Sequence, residues 1–158
     1  MLSSKKDMRN KLGWNYKMGT FVLHAFPSAN NLNGTDLTKK ADEVILMGAL
    51  VKKGTAAGDI KETSSSTDVV MGVSKYDEQV AFTNLADQYS DNGVVVMETL
   101  VNGAVLNLLN SGTDSIAEGV QVEAAADGKI ATGNTDPIGI TNEVIAGSSR
   151  GEVIIQLK

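Results

Sequence analysis

The sequence contains no cysteine, two prolines and one histidine, and aromatic residues make up only 4% of the chain. The absence of cysteine excludes a disulfide framework and thiolate metal sites, and one histidine cannot assemble a histidine-rich metal centre. No apolar run approaches the roughly 18 residues of a membrane-spanning helix. The basic start lacks a following apolar block, which predicts no secretory signal and synthesis in the cytoplasm. With few aromatic residues and 16 glycines, the core must consist of small aliphatic residues, which favours thin β layers.

Charge is divided unevenly along the chain. Residues 1–17 contain five basic residues and one acidic residue and carry +4, which leaves −9 for the remainder because the whole chain carries −5. An acidic body repels phosphate, and five basic residues are too few to outweigh it, so nucleic acid is not an expected partner. A basic terminal segment on an acidic body suits either an acidic protein surface or simple exposure to solvent.

The first 26 residues hold four of the seven aromatic residues. Apolar and polar residues alternate over 14–18 and again over 21–25, which is the period of extended chain with one apolar face. The segment "PSANNLNGTDLTKK" at 27–40 is rich in turn-forming residues and predicts a loop. We therefore predict an extended N-terminal arm and loop over 1–40, followed by a β-barrel domain over 41–158.

The aromatic arm is the most specific feature for partner binding. Aromatic and methionine side chains concentrate at protein interfaces because they bury a large area at little entropic cost. An alternative is that 13–26 forms the first strand of the barrel and closes an open end. The residues predicted to contact a partner are Trp14, Tyr16, Met18, Phe21, Leu23 and Phe26.

From residue 44 onward, short apolar runs alternate with turn residues, as in "VILMGALVKK", "DVVMGVS" and "GEVIIQL". Runs of this length, enriched in β-branched residues, predict an all-β protein with a small β-barrel or β-tulip architecture. Only 78–92 has helical periodicity, so the fold contains at most one short helix; a long excursion over the barrel is the alternative.

One β unit is predicted to occur twice, over roughly 48–99 and 118–157. Leu50 aligns with Val120 at a separation of 70, Gly72 with Gly139 at 67, and "GVVVMET" at 93–99 with "GEVIIQL" at 151–157 at 58. A glycine within a strand is costly, so the repeated Gly72 and Gly139 predict a tight bend, a bulge or a close backbone approach. A chance resemblance between β-rich segments is the alternative.

Motifs for catalysis and metal binding are incomplete in the sequence. "GSSRG" at 147–151 fits a serine-hydrolase elbow around Ser149, but that motif requires a later histidine and the single histidine, His24, lies far upstream. Acidic residues lack the spacing of a calcium loop, and Asp68 and Asp136 each precede a strand as turn formers. We predict no enzyme activity, no cofactor and no metal site. The acidic residues considered for calcium are Asp36, Asp42, Asp87 and Asp91.

The segments "MGALVKKG", "AAGDIK" and "VVMGVS" resemble the head decoration, or auxiliary capsid, proteins of tailed bacteriophages, and the later "GVQVEAAADGKI" and "DPIGITNEV" are similar to the same pattern. The likeness covers roughly 44–158, and phage head-fibre proteins with a capsid-anchoring base are similar too. The resemblance implies a small β barrel that docks on the exterior of a capsid, commonly as a homotrimer. It implies the major capsid protein as partner, reached through the N-terminal arm, and a fibre or another head protein as a further partner.

Three functions are compatible with these patterns. The first is a structural virion protein that decorates or stabilises a capsid without catalysis. The second is a β-barrel module that binds carbohydrate or peptide at a cell or virion surface, for which Tyr76, Phe82 and Tyr89 are the aromatic residues outside the arm. The third, a small enzyme that uses carboxylates alone, lacks histidine, cysteine and phosphate-loop chemistry. We adopt the first.

Overall fold

The strands follow the short apolar runs of the sequence, and the computed structural model describes residues 34–76 and 88–158. The prediction of an all-β protein is confirmed, because the helical structure of this part is a single 3₁₀ turn at Ala126–Gly128. The strands are β1 (Asp36–Ala41), β2 (Ile45–Leu46), β3 (Leu50–Lys53), β4 (Asp59–Glu62), β5 (Gly72–Ser74), β6 (Gln88–Tyr89), β7 (Val94–Thr99), β8 (Val105–Leu109), β9 (Gln121–Ala124), β10 (Ile130–Thr132), β11 (Pro137–Thr141) and β12 (Arg150–Ile155).

The first unit, which contains β1 to β7, is built around a closed barrel. Its strand order is β1-β4-β3-β5-β7, and β1 also pairs with β7. The β1–β4 pair is parallel, with Ala41 opposite Ile60, whereas the other pairs are antiparallel. Closure satisfies the backbone groups at both sheet edges, so the predicted β barrel is confirmed.

The second unit, which contains β8 to β12, is a five-stranded antiparallel sheet in the order β10-β9-β11-β12-β8. Its two ends meet at one isolated parallel bridge between Asn110 and Ile130. The first barrel has the same order when it is followed from β4 through β3, β5 and β7 to β1. Each strand of the second sheet therefore has a counterpart in the first, including the parallel contact at which the ends meet.

A buried hydroxyl occupies the same place in both units. Ser74 Oγ, at the end of β5, donates to Leu46 O at 2.7 Å. Thr141 Oγ1, at the end of β11, donates to Ala117 O at 2.6 Å. Both side chains are at most 2% exposed, and each buried hydroxyl is satisfied by a backbone carbonyl shortly before the corresponding strand, β3 or β9.

The strand pairing differs in two details from the predicted alignment. Gly72 pairs with Thr99 and Gly139 pairs with Ile155. Equivalent residues of the last strands, β7 and β12, are therefore 56 positions apart in the sequence and not 58 as predicted. Equivalent residues of β3 and β9 are 71 positions apart and not 70 as predicted. The difference arises because the turn after β9 is one residue shorter than the turn after β3. The corresponding strands also include β1 and β8, which precede the predicted starts of the two copies at 48 and 118.

Two further sequence predictions need correction or restriction. The loop predicted for 27–40 is wrong at its end, because residues 36–40 belong to β1. The polar composition of this strand misled the prediction, since its backbone pairs on both sides while most of its side chains face solvent. In the segment 78–92, Gln88 and Tyr89 are extended and pair with Leu46 and Ile45, whereas 78–87 lies outside the described residues.

Two apolar clusters form the core. The first cluster lies inside the barrel and is centred on Ile45, Met47, Ile60 and Met97. The second fills the second sheet, but it also includes Leu50 and Val73 of the first unit. Because these two residues pack against the second sheet, the units share apolar core and do not form separate bodies.

The turn between β9 and β10, residues 125–128, is called the second turn because it belongs to the second unit. It packs against the first unit. Thr63 Oγ1 donates to Ala125 O at 2.9 Å, and Gly128 N–H donates to Thr63 O at 3.2 Å. Arg150 donates from its guanidinium to Met47 O at 2.9 Å. A side chain at Gly128 would overlap Ala49 Cβ, so the approach of the two backbones requires glycine at this point.

Gly72 and Gly139 have equivalent surroundings. A Cβ at Gly72 would overlap the carbonyl oxygen of Glu98 on β7, and a Cβ at Gly139 would overlap that of Ile154 on β12. The pairing of β11 with β9 also shifts register between Pro137 and Gly139. The constraint at both glycines is therefore close approach of the neighbouring strand rather than a left-handed backbone.

We expect Gly72→Ala and Gly139→Ala each to lower the free energy of unfolding by about 1–3 kcal/mol, because the added methyl group displaces a paired strand. The measurement is urea unfolding followed by circular dichroism. Gly112→Ala is the matched control, since a Cβ there meets its nearest atom, Asn110 Oδ1, at an ordinary 3.5 Å. Equal stability of all three variants and the wild type would show that the strands can separate without cost.

Candidate docking surface

The residues predicted to contact a partner all lie outside the described part of the chain. This applies to Trp14, Tyr16, Met18, Phe21, Leu23 and Phe26, and also to His24 and Phe82. Their role stays a prediction. The described structure nevertheless shows how the chain that follows the arm is attached to the barrel, because it begins at Gly34, immediately before β1.

Gly34 and Thr35 are fixed against the end of β7. Gly34 N–H donates to Glu98 Oε1 at 2.8 Å, and Thr35 N–H donates to Thr99 Oγ1 at 2.8 Å. Thr99 N–H donates back to Thr35 O at 3.0 Å. A Cβ at Gly34 would overlap the Thr99 carbonyl, so this contact needs glycine. The chain thus enters the barrel through a tight backbone contact, which holds the start of β1 in a defined position.

Charged side chains surround this entry point. Lys75 Nζ forms an ion pair with Asp36 at 2.9 Å. Glu98, which projects from the outer side of β7 because its neighbour Met97 faces the core, is only 2% exposed. Burial raises the pKa of Glu98 above its usual value, against the opposing effects of the Gly34 N–H and Lys75. Among the described residues, Glu98 Oε2 is buried and has no hydrogen-bond donor. This carboxylate is therefore held at a cost in order to fix Gly34.

A polar cleft of about 250 Å³ lies where the second turn meets the first unit. Three of its lining residues are acidic, namely Glu43, Glu62 and Asp127. Burial raises the pKa of Glu62, whose Oε1 accepts the Leu46 N–H at 2.6 Å. This carboxylate thus holds the backbone before β3, which is a structural contact within the cleft.

The other candidate residues have structural roles. Ser149 Oγ donates to Gly147 O within its own turn at 3.3 Å. Asp68 accepts the N–H groups of Ser64 and Ser65, which confirms its role as a turn former. Burial would raise its pKa, but the bond from Lys52 and these N–H groups outweigh it and hold the pKa of Asp68 well below its usual value. Asp136 instead pairs with Lys158 at 3.3 Å.

Residues 34–76 and 88–158 contain no group of three or more acidic or histidine side chains arranged to hold a metal ion. Asp36 is paired with Lys75, and Asp42 accepts both the N–H and the hydroxyl of Thr55. Those hydrogen bonds lower the pKa of Asp42. In the same part of the chain no helix is long and apolar enough to cross a membrane.

Sequence reasoning missed the polar residues that organise the described body. Arg150 joins the two units, Glu98 fixes the start of β1, and Glu123 accepts the Thr135 N–H before β11. Each bonds to backbone far away in sequence, which no local pattern indicates. In the sequence, Glu98 lies in the outward phase of the alternation of β7, so the pattern gives no sign of its burial.

These features define an all-β protein of two similar barrel-like units in which the residues before β1 are fixed against β7. The fold is similar to the crystal structure of the head fiber gp8.5 N base of bacteriophage phi29, with a TM-score of 0.58 and 10% sequence identity. The similarity covers 77% of this chain and 92% of that one. At this identity the likeness concerns the fold alone. No protein-family model and no curated protein sequence matches the chain.

We expect the stability contributed by Glu98 to depend on pH. Its pKa is raised above the ordinary 4.5, so its contribution is fully present below about pH 4.5 and is lost as pH rises through the raised value. Glu98→Gln removes this titration and keeps an oxygen for Gly34. The variant should therefore gain stability relative to the wild type between pH 4 and pH 7, as measured by urea unfolding at each pH.

Asp68→Asn provides a control of opposite sign. The pKa of Asp68 is depressed below 3.8, so its contribution is present above that value and lost on acidification. This variant should lose stability relative to the wild type as pH rises from about 2 to 5, and the difference should then stay constant. If the stability difference between Glu98→Gln and the wild type did not change with pH while Asp68→Asn followed the expected trend, the pKa of Glu98 would not be raised in the folded protein.

Proposed function

We propose that the protein is a structural virion component that docks on the outer surface of a tailed-phage capsid and stabilises or decorates it without catalysis. The observation that carries the proposal is the fold, which is similar to the base of a phage head fibre over most of both chains. The proposed location is the capsid exterior, after synthesis in the host cytoplasm. The proposed assembly is a homotrimer bound to the major capsid protein, with a fibre or another head protein on the outer side.

The attachment of the arm supports a docking role. Residues 1–17 carry +4 and the rest of the chain −9, and the chain that follows the arm is fixed at Gly34 and Thr35. An extended segment can add a strand to an exposed sheet edge of a partner, where backbone hydrogen bonds give affinity and alternate side chains enter pockets. A fixed base limits the directions in which such a segment can leave the barrel, which lowers the entropic cost of docking.

The alternative of a carbohydrate-binding module has less support in the described body. Sugar platforms require exposed aromatic faces, but Tyr89 is 1% exposed and its hydroxyl donates to Lys75 O. Tyr76 is half-buried and packs against the first apolar cluster. The two tyrosines of the described residues therefore serve the core.

The test is co-sedimentation of the full-length protein with capsids of the phage that encodes it, followed by electron microscopy of the particles. Substituting Ser for Trp14, Tyr16, Phe21 and Phe26 together should reduce capsid affinity at least about tenfold, because buried aromatic residues dominate interface energetics. The same loss is expected on removing residues 1–26.

A charge variant separates the two properties of the arm. Replacing Lys5, Lys6, Arg9 and Lys11 by Gln should weaken binding mainly at low ionic strength, since exposed charges are screened by salt. Full capsid affinity after removal of residues 1–26 would disprove the anchoring role of the arm. Failure of the wild-type protein to bind capsids at all would disprove the proposed function.

A further inference from the structure

The contact between the two units uses a surface of the first unit that has an equivalent on the second. Thr63, which holds the second turn, donates its N–H to Leu50 O at 3.0 Å, and Gly133 donates its N–H to Gln121 O at 3.2 Å. Thr63 and Gly133 thus occupy the same place after corresponding strands. The surface around Gly133 is an open groove of about 500 Å³ lined by Gly119, Val120, Gln121, Thr132, Gly133 and Asn134.

The first unit contains the equivalent of the docked turn. The first turn, residues 54–58 between β3 and β4, closes with a bond from Gly54 N–H to Asp59 O at 2.7 Å, as Ala125 N–H bonds to Lys129 O at 2.8 Å in the second turn. Gly58 has φ +85° and its counterpart Gly128 has φ +66°. Gly128 is buried against the first unit, whereas a Cβ at Gly58 would meet nothing within 4 Å.

The first turn is fixed by hydrogen bonds to the end of β1 and to Asp42, which follows it. Asp42 Oδ2 accepts both the N–H and the hydroxyl of Thr55 at 2.7 Å. Asp59 N–H closes the turn on Ala56 O at 3.2 Å. Residues 55–58 are exposed in spite of this order. A rigid, exposed turn of small neutral residues is already organised for docking, and its ordering adds no further entropic cost.

We propose that the first turn of one copy docks in the second-unit groove of another copy of this chain. This contact between two copies would have the same geometry as the contact between the second turn and the first unit within one copy. The residues of the first turn and the six that line the groove are uncharged, but the Asp42 carboxylate lies at Thr55 and the Glu123 carboxylate lies at Gly133. The interface is heterologous, and such interfaces close into rings or continue as filaments. This inference deepens the proposed function because it names the contact that would join the copies. It rests on the proposed function only for the number of copies in the assembly, which is three.

Two side chains that strengthen the contact within the chain are missing from the contact between copies. Thr63 is replaced by Gly133, which has no hydroxyl to donate. Arg150, at the start of β12, corresponds to Val94 at the start of β7, and Val94 is 66% exposed. The carbonyls that an arginine at 94 would reach are those of Glu118 and Gly119 in the next copy. The interface between copies is therefore weaker than the internal one, and it buries Val94.

The variant Val94→Arg tests whether Val94 occupies the position equivalent to Arg150, because the variant should then associate with other copies more strongly than the wild type does. The arginine should reach the carbonyls of the next copy as Arg150 reaches Met47 O, and charge-assisted bonds of this kind should raise the association constant about tenfold. Val69→Arg is the matched control, because Val69 is also an exposed valine and its counterpart Asp136 bonds, within residues 34–76 and 88–158, to Lys158 and Glu123 of its own unit. The measurement is sedimentation velocity of the full-length chain over a range of concentrations.

Loss of association is tested at the two surfaces separately. Ala57→Arg in the first turn and Gln121→Arg in the groove are exposed positions, and each should lower the association constant at least about tenfold. A wild-type chain that is monomeric at all concentrations, or a Val94→Arg variant that associates no better than Val69→Arg, would overturn the proposal.

Introduced cysteines identify the contact directly, because the chain has none of its own. A variant with both Ala57→Cys and Gln121→Cys should form oxidised multimers larger than dimers, since each copy offers a turn and a groove. The single variants cannot join turn to groove and should form dimers at most. Copies that associate without this ladder would overturn the turn-in-groove contact while leaving the proposed homotrimer intact. A ladder in a protein that does not bind capsids would support the contact and disprove the capsid function.

Discussion

The pairing of β1 is the interaction on which the rest of the structure depends. This strand lies antiparallel to β7 and parallel to β4, and its last residue, Ala41, is fully buried opposite Ile60. Without β1, the edges of β4 and β7 would carry unpaired backbone groups, which are both costly and prone to pair with other chains. The same strand continues from Gly34, where the chain enters the barrel. Barrel closure and the attachment of Gly34 to β7 therefore both involve this strand.

Comparison of the two units shows at which positions the backbone geometry requires a particular kind of residue and at which positions the residue can differ. Gly72 and Gly139 are both retained because a neighbouring carbonyl leaves no space for a side chain. The hydroxyls of Ser74 and Thr141 are both present because each is buried and bonds to the backbone shortly before β3 or β9. By contrast, Arg150 corresponds to the exposed Val94. The units thus agree where strands approach and differ where the second unit contacts the first.

The sequence allowed the all-β class, the barrel and the positions of most strands to be predicted, because side-chain alternation and β-branched runs are local signals. The repeated glycines were found for the same reason, since a backbone constraint leaves glycine in both copies. Strand β1 was missed because "DLTKKA" is polar and its stability comes from backbone pairing with distant strands. Glu98, Arg150 and Glu123 were missed because each bonds to backbone that is distant in sequence.

The two proposed contacts use different ends of β1 and can form together. Gly34 precedes the strand and marks the entry of the N-terminal segment, whereas Asp42 follows the strand and holds the first turn. Between them lie Thr35 and the six residues of β1, and the strand alone is about 20 Å long at the usual rise of a β-strand. A capsid-bound arm would therefore leave the first turn accessible to a neighbouring copy. Contacts between copies would in turn strengthen attachment, because copies that are joined to each other and to one lattice bind with a higher effective concentration than each copy alone.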